Sequence, residues 1–248
     1  MRKIAAEAVR PPSEIGDGGG APSLPLLNEA LAKTRRVWHG WGMGRVLVLF
    51  AHPALQKSRV HRVLAAAAQR VEGITFRDLY ECYPDLHLHV AREQQLLIEH
   101  DIVVFQHPFY WYSTPAILKE WQDLVLEWGF AYGPGGTALQ GKKLITVMST
   151  GGPEEAYQRE GFNRFTIREL LAPLEQTARL CGLEYLPPFV MHGVLQTSPE
   201  EIQVAAKHYA AMLAAMRDDT LDWPAVRARR YVSDGPLPLL EQSKGATA

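Results

Sequence analysis

From residue 45 onward, apolar positions follow two alternating rhythms. The run 45–50 (RVLVLF) reads as a strand buried on both faces. Residues 58–71 then change to helical spacing, which puts Val60, Val63, Leu64, Ala67 and Val71 on one side. A second strand is predicted over 74–80, a short helix over 93–100 and a third strand over 102–106. Thr114 is expected to cap a helix with Pro115 at its first position and Ile117, Leu118, Trp121, Leu124, Val125 and Trp128 as its apolar stripe. Residues 144–149 predict a fourth strand. A helix follows within 165–180, with Pro173 at its start or at a kink. Residues 184–192 read as a fifth strand interrupted by Pro187-Pro188. Ser198-Pro199-Glu200-Glu201 is a capping box opening a last helix that buries Ile202, Ala206, Tyr209, Leu213 and Met216.

Strict alternation of strands and helices implies an α/β three-layer sandwich around a parallel sheet with right-handed crossovers. Five strands suggest the flavodoxin-like order 2-1-3-4-5. Ligands of such sheets lie beyond the carboxyl ends of the strands, at the switch between strands 1 and 3. The loops after strands 1, 3 and 4 are therefore the places to look.

Those three loops are unusual. The first, 51–58, runs into a helix whose free N–H groups suit a phosphate, with Ser58 able to donate a hydroxyl and Lys57 or His52 to add charge. Ser58 acting only as a helix cap is the equal alternative. The second carries Phe109, Tyr110, Trp111 and Tyr112 in succession. Four adjacent aromatics cannot all point inward, so they favour a wall for a flat ligand over plain core. The third opens Ser149-Thr150-Gly151-Gly152, where absent side chains let backbone N–H groups approach a polar edge, and Tyr157 follows closely. A mere tight turn is the simpler reading of the glycine pair.

Composition narrows the function classes. The 248 residues are 47% hydrophobic and carry a formal net charge of −1, which gives no basic surface for nucleic acid. Near-neutral charge also argues against a one-electron carrier, which steers partners with strong acidity. Cys82 and Cys181 form no metal-type or CxxC spacing, which points to a reducing cytoplasm. His87 and His89 alternate without an evident third ligand, and a solvated loop outweighs a metal there. No GxGxxG, Walker or GxSxG motif is present. Seven of 20 glycines and four of 17 prolines precede Arg45, so residues 1–42 are expected to be a disordered extension with a short helix around 24–37. Residues 43–218 are expected to form the domain and 219–248 an irregular tail.

The segments VLVLFAHP (46–53), QHPFYWYSTPAILKEW (106–121), FAYGPGGTALQGKKL (130–144), STGG (149–152) and CGLEYLPPFVMHG (181–193) resemble the flavodoxin-like NAD(P)H:quinone oxidoreductases, which include DT-diaphorase. Among these the chain is most similar to bacterial ancillary proteins of the glutathione-regulated potassium-efflux (Kef) systems. The resemblance implies a bound flavin, FMN or else FAD, and two-electron hydride transfer from NAD(P)H to a quinone by a ping-pong mechanism. It implies that His52, Ser58, Arg59, Val60 and His61 hold the phosphate arm and that Phe109, Tyr110, Trp111 and Tyr112 line the ring. Ser149, Thr150, Gly151 and Gly152 would bond its pyrimidine edge. Relatives are homodimers, so Tyr132 is expected to close the pocket from the partner chain.

One position departs from that pattern. DT-diaphorase-like members have a histidine two residues after a glycine of the third loop; here Gly161-Phe162 is followed by Asn163, which donates hydrogen bonds but cannot become cationic. Tyr157 or backbone groups are then expected to serve the reduced flavin, with little dependence on histidine titration near neutral pH. The departure also bears on how efficiently a quinone is turned over. The alternative is a regulatory subunit that activates a membrane potassium/proton antiporter, with secondary redox activity. The expected location is the cytoplasm, with peripheral attachment at the inner membrane face as its variant.

Overall fold

The computed structural model describes residues 44–241. The expectations for residues 1–42, including a helix around 24–37, and for the end of the tail lie outside the described residues. The sheet contains β1 (Val46–Phe50), β2 (Thr75–Asp78), β3 (Ile102–Pro108), β4 (Lys143–Ser149), β5 (Glu184–Tyr185) and β6 (Phe189–Met191). All pairings are parallel, in the order β2-β1-β3-β4-β5, with β6 also on β4. The expected fifth strand is thus two short pieces. Proline has no N–H for the ladder, so Pro187-Pro188 breaks it.

The period-2 alternation of the strands feeds two cores. Leu47, Leu49, Val103, Phe105 and Leu144 face one side, and Val46, Val48, Val104, Ile145 and Val147 face the other. The first face is covered by α3 (Val90–Glu99), α4 (Ala116–Val125), α5 (Ile167–Leu170) and α6 (Ala172–Leu180), the second by α1 (His61–Gln69) and α7 (Pro199–Arg217). A short α2 (Leu79–Cys82) follows β2, and α8 (Trp223–Arg227) follows α7. This is the three-layer α/β/α sandwich.

Local differences have local causes. Thr114 does not cap α4: Pro115 occupies the N-cap and Thr114 Oγ1 is buried without a partner among the described residues. Pro173 starts α6, after a one-residue break at Leu171. The Ser198 capping box forms as the sequence predicts. His89 caps α3, its Nδ1 accepting the Arg92 N–H at 3.2 Å. The segment after Asp218 is not irregular throughout. It contains α8, a Leu221–Leu239 bridge, and the buried side chains Leu221, Val226, Tyr231 and Val232.

Candidate functional site

The carboxyl ends of β1, β3 and β4 open into one cleft of about 270 Å³. Its lining comes from the β1 loop (His52, Lys57, Ser58, Arg59, Val60), the β3 loop (Pro108, Phe109, Tyr110) and the β4 loop (Ser149, Gly151), with Val194 and Leu195 after β6. A larger groove of about 670 Å³ runs between α1 and α7. That groove lies on the helical layer, away from the strand ends where unsatisfied backbone converges, so the smaller cleft is the candidate site.

At the mouth of α1 the donors are concentrated. Ser58 Oγ accepts the His61 N–H at 3.0 Å, so it satisfies the first amide of α1, whose N-cap is Val60, and still keeps its own proton to give. Among the described residues, the N–H groups of Arg59 and Val60 have no acceptor within the chain. His52 Nδ1 accepts the Ala54 N–H at 3.1 Å, which leaves the proton on Nε2. Burial lowers the His52 pKa, so the ring acts as a neutral donor, and its edge meets Tyr110 at 5.8 Å. Arg59 clamps the far wall through the carbonyls of Leu195 and Thr197 (3.5 and 2.9 Å). Lys57 supplies a cation. These groups together suit a phosphate.

The aromatic loop is a tight turn held open by strain. Ser113 N–H donates to Tyr110 O at 3.0 Å, and the two central residues, Trp111 and Tyr112, both have positive φ (50° and 61°). Such a turn normally takes Asn-Gly, because a left-handed conformation costs other residues about 1–2 kcal/mol each. The conformation leaves the Trp111 and Tyr112 N–H groups without acceptors among the described residues and sets the Trp111 ring 93% exposed. Backbone strain of this kind collects where a ligand is gripped. Phe109, by contrast, is core: only 8% exposed, it packs with the first cluster and edge-on against Tyr112.

In the β4 loop, a Cβ built on Gly151 meets nothing within 4 Å, so the glycine leaves open space in the cleft wall. Its N–H has no acceptor within the described residues. Gly152 instead faces Tyr157, whose hydroxyl lies 3.9 Å from the position of an added Cβ. Burial raises the Tyr157 pKa. Asn163 Oδ1 in turn accepts the Tyr112 hydroxyl at 3.0 Å. The Asn163 N–H donates to Ala156 O at 2.9 Å, so Asn163 links the β3 turn to the loop that carries Tyr157.

Some expected contacts fall behind the cleft. His61 is buried beneath it, its Nε2 2.9 Å from Ser149 Oγ, and its pKa is held well below 6.5 by burial and by neighbouring His52 and His107. It positions Ser149 rather than lining the space. The Thr150 hydroxyl donates to Gly152 O at 2.9 Å and its amide to Met191 O, so it braces the loop. Tyr132 is not brought to the cleft; its ring stands edge-on to Trp128 at 5.7 Å. Sequence reasoning missed Pro108, Val194 and Leu195, and also His192, whose ring lies 5.8 Å from that of Tyr157. The only signal for the last three was their place just after the Pro-Pro-broken strand.

A family model described as "Flavodoxin-like fold" matches residues 44–213. The chain belongs to this flavodoxin-like family. It is related to quinone reductases and to KefG-type regulators of potassium efflux. It is 47% identical over 169 residues to the glutathione-regulated potassium-efflux system ancillary protein KefG of Serratia proteamaculans, covering 68% of this chain and 92% of that one. The solved structure of general stress protein 14 from Treponema denticola, in complex with FMN, is 38% identical with a TM-score of 0.66 and covers 69% and 99% of the two chains. An NADPH-quinone reductase from P. pentosaceus is 34% identical with a TM-score of 0.62, covering 68% and 96%.

Proposed function

We propose that this chain is an FMN-dependent NAD(P)H:quinone oxidoreductase. The observation that carries the reading is the convergence, at one cleft, of a phosphate-type donor cluster, an open glycine gap and a strained aromatic turn. Likeness to an FMN-bound stress protein and an NADPH-quinone reductase supports it.

When bound, FMN supplies two-electron hydride chemistry between NAD(P)H and a quinone, in a ping-pong cycle. The residues have separable tasks. His52 Nε2–H, Lys57, the Ser58 hydroxyl and the Arg59 and Val60 amides would hold the phosphate. Tyr110, Trp111 and Tyr112 form an apolar wall that orients the ring and excludes water. The Trp111, Tyr112 and Gly151 N–H groups would serve its polar edge, where fixed donors would stabilise developing negative charge. Tyr157, on the loop that Asn163 holds through Ala156 O, offers a phenol whose raised pKa keeps it protonated at neutral pH. No histidine of this loop takes part, so the rate of FMN reduction has no inflection near pH 6–7 that disappears when a cleft histidine is replaced.

A homodimer in which Tyr132 meets the partner's cleft belongs to this reading; Trp128 beside it is 61% exposed. A second reading, a regulatory subunit of a potassium/proton antiporter, is favoured by the KefG relatives. Rapid mixing of the FMN-loaded protein with NADPH, followed by a quinone, separates the two. Fast bleaching and fast recovery of the yellow absorbance support the enzyme. Loading without turnover, together with antiporter activation, favours the regulator.

A further inference from the structure

The family match ends at residue 213, yet the chain continues as a folded segment to residue 241. That segment is tied along the β5–β6 side of the sheet. Val232 N–H donates to Pro188 O at 2.9 Å, Ser233 Oγ accepts the Val190 N–H at 3.1 Å, and Arg227 pairs with Glu184. In its middle, Arg230-Tyr231 grips the β4 loop from both sides. On the outside, Arg230 forms an ion pair with Glu154 at 2.9 Å and lies over the Tyr231 ring at 4.9 Å. On the inside, Tyr231, only 1% exposed, packs its ring 5.4 Å from that of His192.

His192 passes the contact on. Its ring lies 5.8 Å from that of Tyr157, and its Nδ1 is 3.2 Å from Thr150 Oγ1. The Thr150 hydroxyl proton already goes to Gly152 O, so His192 Nδ1 is the donor of that pair. The Tyr231 hydroxyl has no partner among the described residues. Its ring, and not its polar end, therefore makes the connection.

We propose that Tyr231 and Arg230 are positioning residues for the cofactor edge: a C-terminal strap, outside the family-matched region, fixes the Gly151–Tyr157 loop through His192 and Glu154. The inference rests on the FMN reading for its consequence, but its geometric part stands on this chain alone. The Gly151 amide and the Tyr157 phenol gain precision only if the loop that carries them is held, and within the β4 loop itself the two glycines resist little.

Amide hydrogen exchange on the protein without FMN tests the strap directly, alongside FMN binding and the absorbance envelope of the bound flavin. Tyr231→Ala is expected to speed exchange of the hydrogen-bonded amides that tie this loop, those of Thr150, Ala156 and Gly193, at least tenfold while the β1 and β3 amides keep wild-type rates. It also weakens FMN binding about tenfold and shifts the bound-flavin spectrum. Tyr231→Phe keeps the ring and is expected to match wild type in all three. Should Tyr231→Ala not fold, Arg230→Ala decides, because it removes only the surface grip; about threefold faster exchange of the Ala156 amide, which is bonded to Pro153 O, is expected. Unchanged loop exchange in the soluble variants, or a Tyr231→Phe protein as impaired as Tyr231→Ala, overturns the proposal. Failure of the wild-type protein to bind FMN would instead sink the proposed function and leave the exchange result to be read on its own.

Discussion

Replacing Trp111 by asparagine separates what the β3 turn does for the protein from what it does for its ligand. The indole is 93% exposed and its residue has φ of 50°, so in the free protein it contributes strain and almost no packing. Asparagine tolerates the left-handed region that costs tryptophan about 1–2 kcal/mol, so the variant recovers roughly 1 kcal/mol. For a domain of this size that raises the apo thermal midpoint by about 2–4 °C. Bound FMN, however, loses an aromatic wall worth about 1 kcal/mol, and its dissociation constant rises roughly fivefold. Thermal melts without ligand and a flavin-fluorescence titration read the two effects separately. A lower apo midpoint would refute the reasoning, because it would mean that the ring holds structure rather than waiting for a ligand. So would an unchanged FMN affinity.

Three further outcomes follow from the same geometry. Gly151→Val places its side chain in open space, so the apo midpoint should not move, while FMN binding weakens at least about tenfold; equal affinity would show that the cleft wall lies elsewhere. Glu93 is fully buried and accepts from Arg77, Tyr83 and Trp121 (2.6, 2.7 and 3.0 Å), so Glu93→Ala strands a half-buried guanidinium. Urea unfolding should show a loss of about 3–5 kcal/mol, and a loss below about 1 kcal/mol would contradict the network's role. His107 and His192 are held neutral, each with its pKa brought from 6.5 down to about 4 by burial. The unfolded chain binds more protons below pH 6.5, so stability is full above that value. It declines as pH falls toward 4, by at most about 1.4 kcal/mol per pH unit for each group. Denaturant midpoints that rise on acidification across that window would carry the opposite sign.

The sheet was legible because its strands are short, strongly apolar runs such as 45–50 and 102–106, set between helices with clear 3.6-residue stripes. The three loops stood out by composition: adjacent aromatics and paired glycines are rare at strand ends. Side-chain direction was not legible. His61 looks like a ligand contact from its motif, but the backbone turns its ring beneath the cleft, and Phe109 reaches the cleft lining with only 8% of its surface exposed. The C-terminal strap escaped notice for another reason. Leu221, Val226, Tyr231 and Val232 follow no period, and each is buried by contacts distant in sequence that local patterns do not encode. His192 was obscured likewise, since Pro187-Pro188 hides the strand that delivers it.

The central claim is a flavin seated at the ends of β1, β3 and β4, and direct titration of the ligand-free protein with FMN tests it. Quenching of flavin fluorescence that saturates at about one FMN per chain, and weakens when Ser58 and Lys57 are both changed to alanine, is the predicted result. Fluorescence that stays unquenched up to roughly 100 µM protein, or saturates equally well in that double variant, would contradict it.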